Sequence, residues 1–127
     1  MAPHSRVPLS ITVEPRHLPE HSSPGRQTFA YVVRIENKDD QTWQIVARHW
    51  HVREADGAEI VVDGEGVVGQ QPLLAPGGVF VYDSAVTVAA APAQMSGHYL
   101  LKNAWGEAGR ADIPAFGLNL GGPRTLH

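Results

Sequence analysis

Trp43-Gln44-Ile45-Val46-Ala47-Arg48-His49-Trp50-His51-Val52-Arg53-Glu54-Ala55-Asp56-Gly57-Ala58-Glu59-Ile60-Val61-Val62 is the stretch that decides the fold. Its first twelve residues alternate as a strand does, with Trp43, Ile45 and Ala47 on one side and Val46, Trp50 and Val52 on the other. Asp56-Gly57 is a hairpin signal, because both central positions of a tight primed turn need positive φ. A β-rich run, Glu59 to Val62, then returns. The same period of two extends outward in both directions. Leu9, Ile11 and Val13 alternate with polar neighbours until Pro15, which ends the strand or confines it to a sheet edge. Phe29, Tyr31, Val33 and Ile35 form another, closed by the turn Asn37-Lys38-Asp39-Asp40. Val79 to Val88, Ser96 to Ala104 and Ala111 to Leu118 complete the set, while Gly64 to Gly78 reads as loop. About seven strands without intervening helices predict an all-β fold, a two-sheet antiparallel sandwich or small barrel. A parallel nucleotide-binding sheet would need crossover helices that this chain cannot supply.

Within the 127 residues, 9–120 read as a single domain, 1–8 as a flexible N-terminus and 121–127 as a flexible tail. His17 to Gly25 reads as a crossover between the sheets. The expected core includes Val33, Ile35, Trp50, Val52, Phe80, Tyr82, Tyr99 and Leu101. Thirteen glycines and ten prolines argue against long helices. A net charge of −3 disfavours nonspecific nucleic-acid binding, which needs a positive excess to release counterions. With no cysteine, disulfides, thiolate metal sites and cysteine nucleophiles are all excluded. The start shows no apolar signal core, and the weakly polar run Ala85–Ala93 is too short to span a bilayer. A cytoplasmic protein without membrane contact is expected.

Two patterns invite a chemical reading. Gly64-Glu65-Gly66-Val67-Val68-Gly69 matches G-x-G-x-x-G, whose dinucleotide chemistry requires a helix whose N–H groups face the pyrophosphate. Here Gln70-Gln71-Pro72-Leu73-Leu74-Ala75-Pro76-Gly77-Gly78 follows, and its prolines and glycines leave no room for that helix. What remains is an anion nest of loop N–H groups near Arg48, set against glycines that merely supply positive φ angles. The structural role is the expected one. His49-Trp50-His51 places two imidazoles on one strand face, within reach of a single metal ion. No third ligand follows Pro76-Gly77-Gly78, and His98 is the one later strand histidine. Ser84 beside Asp83 lacks a nucleophile elbow. Asp39-Asp40 reads as a solvated turn, and Trp43, Trp50 and Trp105 read as packing residues. No catalytic residue and no cofactor emerge.

Several blocks together resemble the ApaG family. They are Arg48-His49-Trp50, the run Val62-Asp63-Gly64-Glu65-Gly66-Val67-Val68-Gly69-Gln70-Gln71-Pro72, and Leu74-Ala75-Pro76-Gly77 leading to Phe80-Val81-Tyr82. Leu18-Pro19-Glu20, Ser22-Ser23-Pro24, Met95-Ser96-Gly97-His98-Tyr99 and Ile113-Pro114-Ala115-Phe116 extend the similarity over nearly the whole chain. It departs at Ser84-Ala85 and at Ala91-Pro92-Ala93. The resemblance implies an immunoglobulin/fibronectin type III-like sandwich. It also implies a bacterial association with magnesium and cobalt resistance or efflux, and recognition-module use when the domain is appended to larger eukaryotic proteins. It carries no catalytic residues. The expected function is therefore a non-enzymatic binding module with a protein partner, presenting the Gly64–Pro72 loop and an adjoining sheet face. The alternative is direct, weak binding of pyrophosphate, a polyphosphate or a divalent metal. That reading uses Gly64, Gly66, Gly69 and Arg48 for the anion and His49 and His51 for the metal.

Overall fold

The period-two stretches become strands in two facing sheets, seen in a computed structural model that describes residues 5–120. In chain order these are β1 (Ser5–Arg6), β2 (Leu9–His17), β3 (Gln27–Asn37), β4 (Trp43–Arg53), β5 (Glu59–Glu65), β6 (Leu73–Leu74), β7 (Val79–Val88), β8 (Ala93–Asn103) and β9 (Ala108–Leu118). One sheet has the order β2-β3-β7. The other runs β1-β9-β8-β4-β5, with β6 also paired to β4. The pairing is antiparallel except between β1 and β9. A single 3-10 turn, Pro19–His21, is the one helical element among the described residues.

Several expectations are corrected. β2 and β3 pair along their whole length, so His17–Gly25 joins neighbours within one sheet rather than crossing between sheets. Of the two expectations for Pro15 the sheet edge holds: β2 continues through it, opposite Tyr31. The strand lies at the sheet edge, where the missing N–H breaks no ladder. Within the segment 1–8 expected to be flexible, Ser5 and Arg6 pair with β9. Val7 is buried and donates its N–H to the Arg110 carbonyl, 3.0 Å away. Residues 1–4 and the expected tail, 121–127, lie outside the described residues.

The two sides assigned to β4 are also wrong. Trp43, Ile45, Trp50 and Val52 are all buried, which strict alternation forbids. The register against β8 jumps between Ile45 and Ala47, leaving Val46 as the extra residue of a β-bulge that exchanges the faces. A second shift, between Met95 and Gly97, accommodates Pro114 in β9 at a place where no ladder N–H is needed.

The bulges leave one continuous apolar interior. Val33, Ile35, Trp50, Val52, Tyr82, Tyr99 and Leu101 are buried in it as expected, whereas Phe80 is only partly covered. Trp50 meets Tyr31 and Phe116 edge-on, with centroids 5.6 and 6.0 Å away. The Tyr82 and Tyr99 hydroxyls bond each other between the sheets, which satisfies two polar groups that burial would otherwise strand. Burial pushes the Tyr82 hydroxyl up to about 12, and Tyr99 further still. The buried Asn37 fastens one end of the sandwich. Its Nδ2 donates to the carbonyls of Gln41 and Leu74, and its Oδ1 accepts the Asp39 N–H. At the other buried polar side chain of this kind, Asn103 Oδ1 accepts the N–H groups of Trp105 and Glu107. No helix of the described residues is long and apolar enough to cross a membrane.

Candidate functional site

The glycine run begins at the end of β5 and is held by the β4 bulge. The Val46 carbonyl, freed from the β8 ladder, accepts the Gly66 N–H at 2.7 Å and Gln71 Nε2 at 3.0 Å. Gly64 pairs with Arg48 across the β4–β5 ladder, and the Arg48 guanidinium lies directly over it. Nη1 of that guanidinium donates to the Glu65 and Gly66 carbonyls, each at 3.0 Å. Beyond it, Val67 and Gln70 exchange N–H···O bonds of 2.8 and 2.9 Å. The two residues between them, Val68 and Gly69, have φ of +43° and +81°. Positive φ at both central positions is the signature of a type I′ hairpin turn.

This geometry uses several of the loop's polar groups internally, Arg48 and the Gly66 N–H among them. The N–H groups of Gly66, Val67 and Gln70 point at protein carbonyls, and Arg48 serves two more. A nest needs consecutive N–H groups free and converging on one point. The three glycines have separate tasks. Gly64 makes room for Arg48. Gly66 has φ +61°, and a Cβ there would run into the Gln70 carbonyl oxygen, whereas Gly69 faces open space. Gly66→Ala is accordingly expected to destabilise the fold by about 1–3 kcal/mol and Gly69→Ala by about 1 kcal/mol. Urea midpoints that rank the two the other way would contradict this assignment.

His49 and His51 lie on the outer face of β4, each about one-third exposed. They do not turn toward one another. His49 Nδ1 bonds Asp63 Oδ1 at 2.6 Å, and His51 Nε2 bonds Glu59 Oε1 at 2.9 Å. The His51 contact and the Arg53 charge hold the Glu59 carboxyl below its ordinary range. Among the described residues no group of three or more His, Asp or Glu side chains converges as metal ligands. The imidazole that meets His49 is His98 of β8, stacked at 4.8 Å with the ring planes 18° apart. Period two puts His49 and His51 on one face but is silent on neighbours across strands. The β4–β8 register, which pairs His49 with His98 directly, is the signal that finds the third.

Burial lowers the His98 pKa, and the Arg110 and His49 charges add to the shift. The fold therefore prefers neutral His98. Its contribution to stability is present above the ordinary histidine value of about 6.5 and is lost as pH falls through the depressed folded value. Urea titrations should show stability declining from pH 7 to pH 5, and His98→Gln should flatten that decline. An unchanged slope in the variant would remove His98 as its source.

Two further exposed groups lie at turns. Trp105, expected to pack, is instead 79 % exposed at the β8–β9 turn that Asn103 braces. Val68 is 49 % exposed at the tip of the glycine hairpin. A concavity of about 630 Å³ lies elsewhere, along β2 by Pro15, His17, Phe29 and Asp83.

The ApaG domain matches residues 18–103. Protein ApaG of Deinococcus radiodurans is 47 % identical over 112 residues, covering 88 % of each chain. Protein ApaG of Xanthomonas axonopodis pv. citri is 44 % identical over 124 residues, 96 % of each. A crystal structure described as an ApaA protein from Bordetella pertussis superposes with a TM-score of 0.86 at 38 % identity, covering 97 % of this chain and 100 % of that one. The glycine hairpin on its bulge, the histidine face and the two-sheet sandwich are thus features of a chain that belongs to the ApaG family.

Proposed function

We propose that this chain is a non-enzymatic recognition module that presents the glycine hairpin and the adjoining sheet face to a protein partner. The observation that carries the reading is Val68. A β-branched residue at positive φ is strained, by roughly 1–2 kcal/mol, and glycine or asparagine would sit there more easily. The valine also projects an apolar side chain into solvent, so burial within its own fold does not offset the cost. Strain retained at an exposed position points to a use outside the molecule. Trp105, a residue type enriched at binding hot spots, supports the same reading. A cytoplasmic setting suits a chain without cysteine. The link to magnesium and cobalt that the family resemblance implies would then run through the partner.

Two measurements test this. Val68→Asn creates Asn-Gly, the favoured type I′ pair, and should raise stability by about 1 kcal/mol. A photo-crosslinking residue at position 68 should capture a discrete protein in cells that the same residue at Ala115 does not. Identical adducts from both positions, or none from 68, would contradict the reading. Purified protein is expected to release no phosphate from nucleotides or diadenosine polyphosphates.

A further inference from the structure

We propose that His49 and His98 form a two-histidine site for a late first-row divalent cation such as Zn²⁺. The starting observation is a row across the outer sheet face, set by register: Asp63, His49, His98 and Asp112 lie side by side on β5, β4, β8 and β9. The two imidazoles stand almost parallel on neighbouring strands, 4.8 Å between centroids. Metal–imidazole bonds of about 2.0–2.1 Å require the two donor nitrogens to approach within about 4 Å. Both rings are partly exposed on adjacent strands, and binding would require side-chain rotations that turn their nitrogens toward one point.

The hydrogen bonding already resembles that of a ligand. His49 gives Nδ1 to Asp63, which leaves Nε2 without a hydrogen-bond partner. A carboxylate on the far ring nitrogen orients metal-binding histidines and raises their basicity. Among the described residues His98 makes no hydrogen bond through either ring nitrogen. The pair lines an open depression of about 410 Å³ together with His51, Ser96 and Gly97. The depression is open to solvent, and water would supply the ligands that two protein donors do not. Arg110 borders the same depression, but its guanidinium is turned onto Asp112, Nε to Oδ1 at 2.9 Å, and Arg6 bonds the same carboxylate. The cationic groups are thereby neutralised on the far side.

Imidazole donors select zinc, copper and nickel, whereas Mg²⁺ demands oxygen ligands. The site is thus distinct from the sequence expectation of His49 with His51, because His51 is held by Glu59 through Nε2. It is also independent of the partner-binding reading.

The test is Zn²⁺ titration of untagged, metal-stripped protein, followed by the ring-nitrogen resonances of every histidine. His49 and His98 should shift together and saturate at one equivalent, and Mg²⁺ should move neither. His98→Ala should abolish saturable binding; His98→Gln provides the same loss should the alanine variant fold poorly. Asp63→Asn should weaken binding by about tenfold, since it removes only the carboxylate behind the ligand. Full-strength binding by either His98 variant would overturn the proposal. So would zinc-induced shifts at His17 or His21 in place of His49 and His98.

Discussion

Trp50→Ala is expected to lower the stability of the domain by about 3–5 kcal/mol, among the largest losses available to a single truncation. The indole is 3 % exposed and lies between Tyr31 of one sheet and Phe116 of the other. Removing it leaves a cavity in the middle of the interior, and the two aromatic edges lose their shared partner. Refilling would require the sheets to move together, which the Tyr82–Tyr99 hydroxyl bond opposes. Chemical denaturation at neutral pH measures the loss directly. A decrease below about 1 kcal/mol would mean that Trp50 contributes no more than a surface residue.

Gly97→Ala is expected to cost about 3 kcal/mol or to prevent folding, although it adds only one methyl group. Gly97 lies in β8, directly opposite Trp50, at the place where β8 slips register against β9. A Cβ there would drive into the His49 carbonyl oxygen and crowd the Trp50 Cα. Both obstacles are backbone of a central strand, so no side chain can swing aside. Gly117→Ala is the control. Its added Cβ meets the end of the Asn119 side chain, which can move, and little loss should follow. Equal losses at the two positions would show that general strand propensity, rather than this close approach, sets the cost.

The sheets were legible because period two is a property of each strand alone. Phe29 to Ile35 alternates in the sequence and alternates in burial. What escaped depends on partners. The exchange of faces within β4 follows from one unpaired residue, Val46, and nothing in Ile45-Val46-Ala47 marks a bulge. β1 and β6 have two residues each, too few to show any period. The burial of Val7 depends on Gly109, where a missing side chain admits both Val7 and Trp43.

The candidate sites divide in the same way. The prolines and glycines after Gly69 excluded a dinucleotide helix without any coordinates. The destination of each loop N–H, however, rests on the Val46 carbonyl, and so on the bulge. His49 and His51 were found by spacing, and His98 needed the register. Trp105 carries no sequence mark that separates it from the buried Trp43 and Trp50. Its exposure comes from the turn that Asn103 closes.

The central claim is that the glycine loop is a hairpin that presents Val68, with the N–H groups of Gly66, Val67 and Gln70 and the Arg48 guanidinium committed to the protein's own backbone. The most direct measurement is a residue-resolved NMR titration with pyrophosphate at physiological ionic strength. The amides of Gly64 to Gln71 are expected to stay in place, because Gly66, Val67 and Gln70 already donate to carbonyls and Arg48 is held by Glu65 and Gly66. Saturable micromolar shifts confined to those amides, and lost in a folded Gly66→Ala variant, would contradict the account and make the loop an anion site.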